Sequence, residues 1–167
     1  MSGWAPGALA PAPAAASRAQ MLRAQARTEL TLMLRNGEQL LLTMIIPLGL
    51  LVGLSTVPAV TVDGRRVDFF VPGILALAVM STAFTGQAIA TGFDRQYGVL
   101  KRLGATPLPR SVLLQAKTLA VLAVELVQVV LLCSVGLALG WHPHGNTLAA
   151  VLLIALGTAA FAGLGLL

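Results

Sequence analysis

Residues 69–93 read FFVPGILALAVMSTAFTGQAIATGF, 25 consecutive positions without a charge, bracketed by Asp68 and Asp94. At about 1.5 Å of rise per residue, a helix of that length exceeds the roughly 30 Å of a bilayer's hydrocarbon layer. Working outward, the same pattern recurs on both sides. Residues 40–57 give 18 uncharged positions, just enough for a crossing. Residues 111–140 carry only Lys117 and Glu125 as charges, and residues 147–167 carry none. Residues 141–146, Trp141 to Asn146, combine turn formers with an interfacial Trp and separate the last two runs.

The composition agrees with these runs. Of 167 residues, 57% are hydrophobic and 10% charged, and the mean hydropathy is +0.87. Soluble domains carry about 25% charged residues. Only 6 acidic residues are present, too few to cover a soluble surface. The expected fold is all-α: a polytopic α-helical membrane protein with an N-terminal interfacial helix and four transmembrane helices. A single cysteine, Cys133, excludes a disulfide framework or a cysteine zinc site. The net charge of +5 would suit nucleic acid, but the positive residues sit in blocks beside apolar runs. Membrane lipids with anionic headgroups explain them at less cost, with no nucleic acid involved. Arg outnumbers Lys and Ala is abundant, which reads as a GC-rich bacterial genome and hence a bacterial plasma membrane.

Residues 1–17 are uncharged and rich in Ala, Pro and Gly, and they lack the basic start and apolar stretch of a secretory signal. A retained disordered tail is expected there. From 18 to 38, Leu22, Ala26, Leu30 and Met33 recur at helical spacing while Arg23, Arg27 and Thr31 line a neighbouring strip. This predicts an amphipathic helix lying in the interface, its Arg heads toward lipid phosphates. Arg18, Arg23, Arg27 and Arg35 precede the first span, and Arg95, Lys101, Arg102 and Arg110 lie between the second and third. Arg65 and Arg66 in the first loop are offset by Asp63 and Asp68, and the third loop has neither Lys nor Arg. The positive-inside rule puts the N-terminus and residues 94–110 in the cytoplasm.

Within 94–110, Val99, Leu100 and Leu103 are apolar at helical spacing, Lys101 and Arg102 point elsewhere, and Pro107 and Pro109 stop the helix. Such a helix is too short to be stable alone, so it must lean on headgroups or on a partner with an apolar groove. The plainer reading is a solvated basic loop.

The run Gly98-Val99-Leu100-Lys101-Arg102-Leu103, followed by Thr106-Pro107, resembles the coupling segment of type-2 ABC exporter permeases. In that family a Gly-Thr-Leu-(Glu/Lys)-x-Leu stretch precedes a Thr-Pro pair between the second and third spans, and the third span opens near a Lys, here Lys117. Val99 stands where the family often has Thr, and Tyr97 where it often has an acid. The resemblance covers residues 18–167 and implies a six-span permease, of which this chain would be a piece ending after the fourth span. It further implies a separate ATP-binding subunit carrying ATP and Mg, whose groove receives the helix from Gly98 to Leu103, and a second permease copy, identical or different. The cargo would be hydrophobic or amphipathic, such as a drug, lipid or glycolipid. The two lysines, Lys101 and Lys117, follow Leu100 and Ala116, so no Gly-Lys-(Ser/Thr) phosphate loop exists and the chain itself carries no cofactor. The alternative is a non-transporting anchor or assembly module with a basic cytoplasmic loop.

Glu125 is the only acid inside a span. Charge at that depth marks a functional candidate, while Gln128 and Gln87 offer hydrogen bonds for a structural role; the sequence leaves both open. Lys117 reads as snorkelling to the inner headgroups. His142 and His144 lack further ligands nearby and read as surface histidines, so no metal site is expected. No catalytic constellation is visible, and the chain reads as a transport subunit rather than an enzyme.

Overall fold

The computed structural model describes residues 16–58 and 61–165, with the side chain of Leu100 left out. The expected tail over residues 1–17 thus lies outside the described residues up to 15. Ser17 is already the cap of the first helix. Its hydroxyl accepts from the Gln20 amide at 3.4 Å while the Gln20 side chain accepts from the Ser17 amide at 3.0 Å, a reciprocal capping box.

Helix α1 is Arg18–Arg35 and α2 is Gly37–Thr56. Asn36 separates them by serving both. Its amide donates to the Leu32 and Met33 carbonyls at 3.2 Å, ending α1, and its side chain accepts from Gln39 N at 3.3 Å, starting α2. The amphipathic segment therefore stops at Arg35 rather than running on to 38. α3 is Arg66–Met80 and α4 is Gln87–Gln96, joined without a break by a π-helical stretch, Ser81–Gly86. α5 is Val99–Gly104, α6 is Arg110–Ala138 and α7 is Thr147–Gly165. No strand occurs among the described residues. Among the described residues, four helices are long and apolar enough to cross a membrane: α2, the continuous 31-residue α3–α4, the 29-residue α6 and α7.

α6 is the hub. α1 packs along its first half more extensively than any other pair of helices meet, and α3, α2 and α7 also touch it. Small buried residues, Ala116 and Ala120, let the neighbouring helices come close. Toward the far end, Leu51 of α2, Val67, Val71, Ile74 and Ala78 of α3, and Leu132 of α6 form the apolar core, with Trp141 packed on its edge. Outside that core the helices present Leu126, Leu153 and Leu156, each 66–70% exposed, as a surface suited to acyl chains.

Two adjacent arginines tie the ends of spans at that end. Arg66 donates to the Leu54 carbonyl at 3.0–3.1 Å and to the Val57 carbonyl, satisfying the last turn of α2. Arg65 donates to the Gly140 carbonyl beyond α6 and lies 2.8 Å from His142 Nδ1. α7 approaches the π-helical stretch so closely that a Cβ on Gly165 would lie 2.8 Å from the Phe84 carbonyl oxygen.

Candidate functional site

The basic end of the molecule carries the segment that the sequence singled out. α4 ends at Gln96 and Tyr97, and the chain then turns through Gly98, whose φ of +67° is a left-handed conformation that side chains resist. That single turn lets α5 leave the axis of α4. The Arg102 amide bonds back to the Gly98 carbonyl at 3.2 Å, and Thr106 closes the other end, its hydroxyl donating to the Leu103 carbonyl at 2.6 Å. Pro107 and Pro109 follow, and Pro109 begins α6. α5 leans chiefly on α4. Val99 and Leu103 are half-buried, whereas Lys101, Arg102, Thr106 and Pro107 are exposed. Tyr97 is 66% exposed and stacks on Phe93 with ring centroids 6.1 Å apart. The result is a short helix held at both ends, with cations and an aromatic ring facing outward.

Directly behind it lies a feature that the sequence did not reveal. Lys117 is not a snorkelling lysine. Its side chain is 4% exposed and its ammonium lies 2.5 Å from an Asp94 carboxylate oxygen and 3.1 Å from Glu29 Oε2. The cluster joins α4, α1 and α6. Burial explains the difference: α1 covers the first half of α6 and removes the path to headgroups, so the ammonium needs carboxylates within the protein. α1 correspondingly lies along α6 with one face, although none of its residues is fully buried. Glu29 turns inward to Lys117, while Arg23 and Arg27 stay exposed on its outer side.

The three polar residues expected inside the spans are all buried, but not as one cluster. Gln128 bridges two other helices, accepting from the Thr82 hydroxyl at 2.8 Å and donating to the Thr43 carbonyl of α2 at 2.7 Å. Glu125 bonds neither glutamine. Its Oε1 accepts from the Thr158 hydroxyl of α7 at 2.6 Å, and its Oε2 has no partner. Gln87 Nε2 and Thr91 Oγ1 are likewise buried without partners. Thr82 reaches α6 from the π-helical stretch, whose wider turn also sends Ser81 and Thr85 the other way, into a cleft between α2 and α3–α4 of about 580 Å³. Leu42, Ile46 and Phe93 form apolar walls of this cleft, and Glu38 and Gln39 stand at its basic end. No group of three or more metal-ligating side chains occurs among the described residues.

The family model described as ABC-2 type transporter matches residues 20–167. The chain belongs to that family. No curated protein and no solved structure matches it. As an ABC-2 type transporter membrane domain, it is a permease-type transport subunit of an ABC transporter and a multi-pass membrane protein, not itself the catalyst. The partners missed by sequence reasoning are Glu29 and Asp94 for Lys117, Thr43 and Thr82 for Gln128, and Thr158 for Glu125. Asp94 had a signal, as the charge that closes the second uncharged run. Glu29 stands 88 residues from Lys117 and had none.

Proposed function

We propose that this chain is the membrane half of an ATP-driven exporter of the bacterial plasma membrane, moving a hydrophobic or amphipathic substrate. A separate ATP-binding subunit, which holds ATP and Mg, receives α5 in a surface groove on the cytoplasmic side. A second permease copy completes the pathway. The observation that carries this reading is the form of α5: a one-and-a-half-turn helix set off by the left-handed Gly98, leaning on α4, with Tyr97, Lys101 and Arg102 outward. A helix this short holds its shape because it is anchored at both ends by spans. A rigid, anchored and outwardly basic element is what a soluble motor subunit needs as a handle.

The cleft between α2 and α3–α4 supports the substrate class. Its walls are mostly apolar, with Ser81, Thr85 and Gln39 adding a polar strip, which suits a molecule having an apolar body and a polar group. Leu103 is the half-buried apolar residue of α5 that a groove would take. Leu103→Asp is expected to abolish co-purification of the ATP-binding subunit while leaving membrane insertion intact. Co-purification unchanged from wild type refutes docking through α5, and loss of insertion in parallel would trace the effect to folding instead.

A further inference from the structure

A push on α5 has to travel. α5 leans on α4, and the last turn of α4 carries Asp94 four residues before the Gly98 turn. Asp94 holds Lys117 at 2.5 Å, and the same ammonium holds Glu29 at 3.1 Å. Glu29 lies in α1, which ends at Asn36, and Asn36 caps α2 with the same residue that ends α1. α2 forms one wall of the amphipathic cleft, and α3–α4 forms the other.

We infer that the Glu29–Lys117–Asp94 ion cluster is the joint through which displacement of α5 reaches α1 and, through the shared Asn36 cap, the α2 wall of the cleft. The inference rests on the proposal that α5 is the handle of an ATP-binding subunit. Three features suit the cluster to this work. It is short and largely dry, with side-chain exposures of 4%, 14% and 22%, so its bonds are directional and poorly screened. It joins three different helices at one atom, Lys117 Nζ. It also carries two carboxylates on one ammonium, so loss of the cation leaves α1 and α4 facing each other with like charges. Lys117 is in this account a positioning residue: it touches no substrate and acts by fixing how α1 follows α4.

The test uses the full permease with its ATP-binding subunit in nanodiscs, in a Cys133→Ala background. Two spin-label pairs share the exposed Leu148 at the far end: Lys101 with Leu148 reports α5, and Arg23 with Leu148 reports α1. In wild type, ATP is expected to shift both distance distributions. In Lys117→Gln the α5 pair should still shift while the α1 shift falls at least threefold, and Lys117→Arg should restore it. Glu29→Gln, which leaves the Lys117–Asp94 pair in place and so protects the fold, should reduce the α1 shift alone. If the α1 shift persists at wild-type size in either neutral variant while α5 still moves, the joint is refuted and the handle stands. If the subunit binds but neither pair moves in wild type, the handle and the joint fall together. A fall in the α1 shift that Lys117→Arg does not restore also overturns the joint, since it would trace the loss to packing rather than charge.

Discussion

Replacing Lys117 by Gln removes the cation from a site with two carboxylates and leaves them buried together. Breaking a buried pair by deleting one partner costs about 3–5 kcal/mol, because the surviving charge is left uncompensated. Here the survivors retain some solvent, with side chains 14% and 22% exposed, so the lower end, about 3 kcal/mol, is expected. The carboxylate variants should rank by geometry. Asp94→Asn loses the 2.5 Å bond and should cost about 2 kcal/mol. Glu29→Gln loses the longer 3.1 Å contact and relieves a like-charge neighbour, for about 1 kcal/mol. Because the three groups share one atom, their effects should not add, and a double-mutant cycle of Lys117→Gln with Asp94→Asn should show coupling above about 1 kcal/mol. Equilibrium unfolding in mixed detergent micelles, monitored by helical signal, measures each value. A Lys117→Gln change within about 0.5 kcal/mol of wild type, the range of ordinary surface substitutions, would mean that the ammonium sits in headgroups after all.

Other positions give sharper or milder effects. Gly98→Val forces a β-branched residue into φ +67° and should cost about 1–3 kcal/mol of local strain; protease cleavage between Tyr97 and Pro107 should rise with it, and unchanged cleavage would refute the strain. Gly165→Ala places a Cβ 2.8 Å from the Phe84 carbonyl oxygen, so backbone must yield and unfolding should come about 1–3 kcal/mol earlier. Gln128→Leu removes two interhelical hydrogen bonds; at about 0.6 kcal/mol each in membrane proteins, the loss should be near 1 kcal/mol, well below that of Lys117→Gln. The reverse order would mean that the polar layer, not the ion cluster, holds the helices together.

The spans were legible because membrane crossing is a property of single segments: the uncharged runs 40–57 and 69–93 state their length and apolarity without reference to anything else. The placement of α5 was legible for a similar reason, since Gly98 and Pro107 mark its ends in the chain itself. What stayed hidden depends on which helix packs on which. Lys117 looked like a lysine near a membrane edge, and only the presence of α1 along α6 makes it a buried cation with two acids. For Glu125 the sequence offers Gln128 and Gln87 as hydrogen-bond partners, yet the structure gives it Thr158 of α7 and gives Gln128 to Thr82 and Thr43. The π-helical stretch, Ser81–Gly86, is also silent in sequence: its small and polar residues fit an α-helix as well, and its wider turn shows only in the backbone.

The proposed function requires that α5 grip a nucleotide-binding partner. A photo-crosslinking residue at Lys101, activated in native membranes with the full-length chain, tests this most directly. The predicted result is a covalent adduct with a protein bearing a Gly-x-x-x-x-Gly-Lys-(Ser/Thr) loop, lost when Leu103→Asp is added. Adducts with lipid alone, or labelling of that position only from the outside of intact cells, would contradict it.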